Sequence, residues 1–251
     1  MIVTDLDNTL LRSDKLISAH TIDILKKCQS RGITIAYATA RSFQASSRFL
    51  ELFQPDVFIG YGGALVQAER KIIHRIDIPA ETSFQIIKDC LAAPEITSIL
   101  AINESVALTN NINELASKDS SHYHFADLSK DHHNRYLKIS LNASSQTVVE
   151  KIAARYPICD VLRYTGENLY SIANRDAIKW NAVKAAAEYY NFSTAELVAF
   201  GDDKNDLGML ANCGAGVAVE NAIDEVKAAA DHICGSNDND GVAEWLEKYI
   251  L

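Results

Sequence analysis

The sequence predicts an α/β protein built on a doubly wound, mostly parallel sheet, with a second α+β domain inserted in it. Three observations carry this. Short apolar runs alternate with amphipathic segments at both ends of the chain. Polar, chemistry-bearing motifs stand directly after three of those runs. The middle of the chain changes to a β-rich character.

Taken in order, residues 1–4 read as a strand. A helix runs from a Ser18 cap through Ile22, Leu25 and Cys28 to Gly32 as its stop signal. Residues 33–38 read as a strand, 42–53 as a helix and 57–59 as another apolar run. Strand alternating with helix implies parallel strands joined by crossovers. The rhythm resumes with a helix at 176–190, a strand at 197–200 and a short helix after Asn205. It ends with an apolar run at 216–219, a helix at 222–230, a short run at 232–234 and a helix from Gly241. The two ends read as halves of one sheet.

Between them lie β-rich runs at 99–109, 136–141 and 161–173, with helical patterns at 82–92 and 147–156. Pro79 and residues 174–176 read as hinges. The expected organisation is a core of residues 1–78 and 175–251 around an insert of residues 79–174.

Composition narrows the function classes. With 251 residues, 48% of them hydrophobic and 23% charged, the chain has the balance of an ordinary globular protein. It carries 24 Lys and Arg against 33 Asp and Glu, a formal −9, and no basic run, which argues against nucleic acid or an anionic membrane as partner. The five cysteines, Cys28, Cys90, Cys159, Cys213 and Cys234, are odd in number and widely spaced, as expected of reduced thiols. The first apolar run meets an acidic motif at once, leaving no room for a signal peptide, and no stretch approaches a membrane span. The expected location is the cytoplasm. Oligomeric state is not legible.

The strongest chemical signal is Asp5-Leu6-Asp7-Asn8-Thr9, at the end of the first strand. Carboxylates two residues apart past a strand's C-terminal end can both enter the crevice where doubly wound sheets bind ligands. One can attack phosphorus while the other handles the leaving group's proton. An acidic turn is the plainer alternative. Gly201-Asp202-Asp203-Lys204-Asn205-Asp206 follows another strand, and such a cluster calls for a cation, with magnesium favouring oxygen ligands. A solvated loop leading into a helix at Asp206 is its alternative. Ala38-Thr39-Ala40-Arg41-Ser42 offers a hydroxyl and N–H groups at a helix start, suited to a phosphate oxygen. Lys179 can offset phosphate and aspartate charge, with Lys184 and Lys204 as rivals.

Two other segments imitate sites. Ser236-Asn237-Asp238-Asn239-Asp240-Gly241, with Glu247 at the twelfth place, approaches a calcium loop but begins with Ser and follows a strand. His122, His124, His132 and His133 cluster without a cysteine, more like a polar loop than a zinc site. Tyr164, Glu167, Asn168 and Tyr170 form a polar patch that reads equally as a substrate-facing hairpin or an exposed turn.

In their order and placement these motifs resemble the haloacid dehalogenase superfamily, specifically its class IIB, Cof-like phosphatases with a Rossmann-like core. The resemblance covers nearly the whole chain, including a cap-sized insertion. It implies that Asp5 is the nucleophile that becomes an aspartyl phosphate. Asp7 is then the acid/base that also gives a backbone carbonyl to Mg2+. Thr39 holds the transferred phosphoryl group, and Lys179 bridges nucleophile and phosphate. Asp202 is the carboxylate metal ligand, supported by Asn205 and Asp206. The insertion resembles a mobile cap, and the substrate would be a small phosphorylated metabolite.

The family usually has Gly at positions 8, 40 and 203, Asn-Gly-Ala where Gly62-Gly63-Ala64 stands, and Lys-Gly where Lys179-Trp180 stands. None of these differences removes a catalytic functional group. A phosphotransferase or phosphomutase of the same superfamily, and a phospho-ligand binding or regulatory protein on this scaffold, are the other readings of the same motifs.

Overall fold

A computed structural model describes residues 1–117, 122–164 and 168–251. In the first stretch β1 is Ile2–Thr4, α1 Ala19–Ser30, β2 Ile35–Ala38, α2 Ser47–Leu52, β3 Val57–Gly60, β4 Leu65–Ala68 and β5 Lys71–Arg75. Then come α3 (Ala80–Leu91), β6 (Ile96–Ile102), β7 (Ala107–Thr109), β8 (Tyr123–Phe125), β9 (Lys138–Ala143), α4 (Gln146–Ala153), β10 (Cys159–Arg163) and β11 (Leu169–Asn174). The chain closes with α5 (Lys179–Tyr189), β12 (Val198–Gly201), α6 (Leu207–Asn212), β13 (Ala215–Val219), α7 (Asp224–Ala229), β14 (His232–Cys234) and α8 (Gly241–Tyr249).

Contacts divide the chain into two compact units, Met1–Arg75 with Ile178–Leu251, and Ile76–Ala177. The first unit holds an eight-stranded sheet in the order β14-β13-β12-β1-β2-β3-β4-β5. The six strands from β14 to β3 are parallel, and β4 and β5 add an antiparallel hairpin. Ile2, Val3, Ile35, Ala36, Tyr37, Val57 and Ile59 are all essentially inaccessible, as continuous apolar runs become when helices cover both faces of a parallel sheet. Chain order runs outward from β1 in both directions, which creates a topological switch point beside it.

The local signals explain most elements. Ser18 caps α1 by accepting from the Thr21 N–H at 3.0 Å, and Gly32, at φ +78°, follows the helix. The helix expected at 42–53 forms only in part: residues 44–46 are a 3-10 turn and α2 is six residues long. The helix expected from residue 176 begins at Lys179, so this lysine sits in a first turn rather than a helix interior. Its buried face, Ala182, Val183, Ala186 and Ala187, is small enough to lie close against the sheet.

The second unit contains a six-stranded sheet in the order β10-β11-β9-β6-β7-β8, antiparallel except for β7 with β8. One face is apolar. Ile139, Leu141, Ile99 and Ile172 pack with Ile86, Ile87, Val149 and Ile152 of α3 and α4 into a core separate from that of the first unit. Tyr170 belongs to this core at 3% exposure, which takes it out of the polar patch expected around it; Glu167 lies outside the described residues.

Candidate active site

Strand register brings three of the expected motifs to one edge of the larger sheet. Thr4 of β1 lies opposite Tyr37 of β2 and Phe200 of β12. Asp5, Thr39 and Asp202 therefore emerge from the C-terminal ends of three adjacent parallel strands, the edge where such sheets hold ligands. The Asp5 N–H still donates to the Phe200 carbonyl at 3.0 Å, and the Thr39 N–H to the Ile59 carbonyl at 2.8 Å, so the sheet's own ladder fixes both backbones.

Asp5, Asp202 and Asp206 each place a carboxylate oxygen within 4.8 Å of the others. Lys179, only 1% exposed, donates to Asp5 Oδ1 at 2.7 Å and to Asp206 Oδ1 at 2.6 Å. Burial alone would discharge this ammonium, but the Asp206 and Asp5 carboxylates outweigh burial and raise its pKa. Asp5 is raised well above the usual carboxylate range, first by burial, against the attraction of Lys179, and then by Asp206 and Asp202. Asp202 is pushed up to about 6 by burial and by Asp206, despite the hydrogen bond it receives from Thr9 Oγ1 at 2.9 Å. Among the described residues, three carboxylates share one contacting ammonium, which leaves the cluster with excess negative charge.

The loop after β12 is organised by Asp206. Its Oδ2 accepts from the N–H groups of Asp202 and Asp203 at 3.1 and 3.2 Å, while Oδ1 takes Lys179. Gly201 permits this fold-back, because a Cβ there would lie 2.4 Å from that of Asp206. Asn205 Oδ1 is buried with no hydrogen-bond partner among the described residues, an acceptor lacking its donor beside an anionic cluster. An oxygen-only donor set with excess negative charge fits a hard divalent cation that retains some of its waters.

Asp7 is placed differently. Arg41 grips it in a fork, with Nε donating to Oδ2 at 2.6 Å and Nη2 to Oδ1 at 2.7 Å, and Lys15 Nζ donates to Oδ1 at 3.1 Å. Burial works against the charged form, but Arg41 and then Lys15 more than offset it and lower the Asp7 pKa. The next residue, Asn8, has φ +58°, a left-handed position where the family's usual glycine is at ease and Asn is among the better-tolerated replacements. Thr39 Oγ1 accepts from the Arg41 N–H at 3.1 Å, joining the threonine loop to the residue that holds Asp7.

The rival lysines lie elsewhere. Lys184 stands over the Trp180 ring at 5.7 Å, and Lys204 pairs with Glu225 at 3.5 Å on the surface. Trp180 packs against Gly208, and Gly63 lies so close to the start of α5 that a Cβ would come 2.7 Å from the Lys179 nitrogen. Thr9, Lys15 and the Arg41 side chain are the contacts that sequence reasoning left unassigned. Thr9 and Arg41 both stood inside the quoted motifs.

The imitations resolve as structure. Among the described residues, the one group of three or more potential metal ligands is the aspartate cluster; the histidines form none. His132 instead packs against Phe84, with ring centroids 4.0 Å apart and the rings tilted by 40°. The calcium-like loop braces the segment after Asp7. Asp238 accepts from the Ser13 N–H and Oγ at 2.8 Å, Asn237 Nδ2 donates to the Leu11 carbonyl at 3.0 Å, and Thr21 Oγ1 donates to Asp240 at 3.1 Å. Among the described residues, no helix is long and apolar enough to cross a membrane.

Comparison with known proteins agrees with this geometry. The family description "haloacid dehalogenase-like hydrolase" matches residues 2–246. A Bacillus subtilis 5-amino-6-(5-phospho-D-ribitylamino)uracil phosphatase is 25% identical over 100% of this chain and 97% of its own length. An Escherichia coli phosphatase of the same name is 26% identical, over 100% and 96%. The solved structure of a subclass IIB sugar phosphatase superposes with a TM-score of 0.85 over 99% of this chain and 98% of its own, and at 19% identity it speaks for the fold. With the family match running almost end to end, the chain belongs to the haloacid dehalogenase-like hydrolases.

Proposed function

We propose that this protein is a magnesium-dependent phosphomonoester hydrolase that passes the phosphoryl group of a small phosphorylated metabolite through Asp5. The observation that carries the reading is the buried Lys179 ammonium between Asp5 and Asp206, in a cluster that still has excess negative charge. A purely binding site has no need of a carboxylate held ready beside an ammonium, with a second carboxylate two residues on.

In this mechanism Asp5 attacks phosphorus while Asp7 protonates the departing oxygen. Water, deprotonated by Asp7, then cleaves the aspartyl phosphate. Lys179 steadies Asp5 and the transferring group, and the Thr39 hydroxyl holds a phosphoryl oxygen. Asp5, Asp202 and the Asp7 carbonyl would hold magnesium, with Asn205 and Asp206 in support. When bound, the ion neutralises charge on the phosphoryl oxygens. The unit of residues 76–177 acts as the cap and the remainder as the catalytic core.

The relatives' names, a phosphoribitylaminouracil phosphatase and a sugar phosphatase, direct the substrate search to phosphorylated sugars and polyols. The five free thiols, four of them buried, suit the reducing cytoplasm. The test is turnover of 4-nitrophenyl phosphate with and without magnesium by the wild type and Asp5→Asn. Magnesium-dependent turnover that the substitution abolishes supports the reading. Activity surviving in folded Asp5→Asn protein removes Asp5 from its role.

A further inference from the structure

The three donors on Asp7 are distributed unequally over its two oxygens. A carboxylate oxygen has two lone-pair directions. Oδ1 accepts from Arg41 Nη2 and Lys15 Nζ and has both filled. Oδ2 accepts from Arg41 Nε alone among the described residues, which leaves one direction open. Resting on the phosphatase reading above, we propose that Arg41 and Lys15 are positioning residues for proton transfer, and that Oδ2 is the Asp7 oxygen that exchanges the proton.

Both donors are themselves held. The Arg41 guanidinium lies 5.2 Å from the Phe49 ring centroid, its Nη1 donates to the Ala45 carbonyl at 3.4 Å, and its backbone carbonyl accepts from the Tyr61 N–H at 2.9 Å. Lys15 projects from a tight turn closed by its own N–H to the Arg12 carbonyl at 2.8 Å and by the Arg12 N–H to the Leu16 carbonyl at 3.0 Å. It adopts φ +62° there, a left-handed conformation unusual for a residue with a side chain. A planar fork on a carboxylate fixes the plane of that carboxylate, which a single point charge cannot do.

The proton path then balances. As the Asp5 oxygen bonds to phosphorus and the ester P–O bond breaks, the proton on Oδ2 passes to the departing oxygen. As water bonds to phosphorus and the bond to Asp5 breaks, the water's proton returns to Oδ2.

The experiment compares kcat/KM along a leaving-group series from 4-nitrophenyl to phenyl phosphate for wild type, Arg41→Gln, Arg41→Lys and Lys15→Met. This parameter reports only steps up to leaving-group release, and the more basic phenolate needs the proton more. The expected result is a selective loss on phenyl phosphate, widening the ratio between the two substrates by about tenfold or more in Arg41→Gln. Lys15→Met shows the same direction with a smaller change, and Arg41→Lys, which restores charge without the fork, does not rescue. Equal losses on both substrates, or full rescue by Arg41→Lys, overturn the proposal, because Arg41 then serves the phosphoryl group or acts as bare charge. If Arg41→Gln fails to fold, Lys15→Met, at a side chain 39% exposed, decides. Asp5→Asn, run in parallel, separates failure of this inference from failure of the phosphatase reading.

Discussion

Asp206 Oδ1 lies 2.6 Å from Lys179 Nζ with both side chains fully buried, so the loop after β12 and the first turn of α5 are pinned by one ion pair. Removing Asp206 leaves Lys179 its Asp5 partner but strips two backbone N–H groups of their acceptor, at about 1–3 kcal/mol each. Asp206→Ala is expected to lose stability of this order in urea unfolding with a chelator present. It should also lose the loop, since two backbone N–H groups lose their acceptor.

Lys179→Ala should lower kcat on the order of a hundredfold, the usual consequence of deleting one preorganised electrostatic donor. Lys184→Ala should be close to neutral, because that ammonium lies over Trp180 and pairs with no aspartate of the cluster. Steady-state kinetics on both variants checks the assignment, and the reverse order would transfer the role to Lys184.

With magnesium held as proposed, metal binding and pH are coupled through Asp202. Its folded-state pKa of about 6 stands above an unfolded value of about 3.9, so the folded protein binds this proton more tightly than the unfolded chain. The stability it contributes is present below about pH 4 and lost as pH rises through about 6. Metal-free protein should show that downward component in Tm. Millimolar magnesium should restore it, raising Tm more at pH 7.5 than at pH 5. Calorimetry at the two pH values, with and without chelator, measures it; a larger magnesium effect at pH 5 would count against a carboxylate metal site.

The adjacent glycines separate strain from clash. At Gly63, φ is +110° and an added Cβ would lie 2.3 Å from the Ile178 carbonyl carbon, so Gly63→Ala should cost about 2–4 kcal/mol and displace Lys179. Gly62, at φ +76°, has nothing within 4 Å of such a Cβ. Gly62→Ala should therefore cost only about 1 kcal/mol of backbone preference, with kcat nearly unchanged. Thermal unfolding and turnover of the two variants test the contrast.

What the sequence made legible follows from distance along the chain. Asp5, Thr39 and Asp202 each stand within two residues of an apolar strand, and parallel pairing carries all three to one edge whatever the details of packing. Lys179 was recognisable through the order of the motifs. The partners of Asp7 were not, because Lys15 sits in an irregular turn and Arg41 had several carboxylates within reach of a flexible side chain. The β4–β5 hairpin escaped because Lys71–Arg75 is largely exposed and lacks the apolar run that marked the parallel strands. The polar loop at 236–240 looked like a cation loop, since Asn and Asp side chains that bind ions also cap and brace backbone. Which of these they do depended on a segment more than two hundred residues away.

That brace has a consequence for how the protein is made. Asn237 reaches Leu11, Asp238 reaches Ser13 and Asn221 reaches Asn8, across 226, 225 and 213 residues respectively. Asp5 and Asp7 are synthesised more than two hundred residues before Asn221, Asn237 and Asp238, so the segment that follows them acquires these supports only after residue 238 has emerged. Contacts of such separation are slow to close, and the N-terminal strand waits with its β12 partner and its lysine still unsynthesised. A chain synthesised only as far as residue 219 therefore lacks all three of these contacts, and the loop after Asp7 goes without its brace.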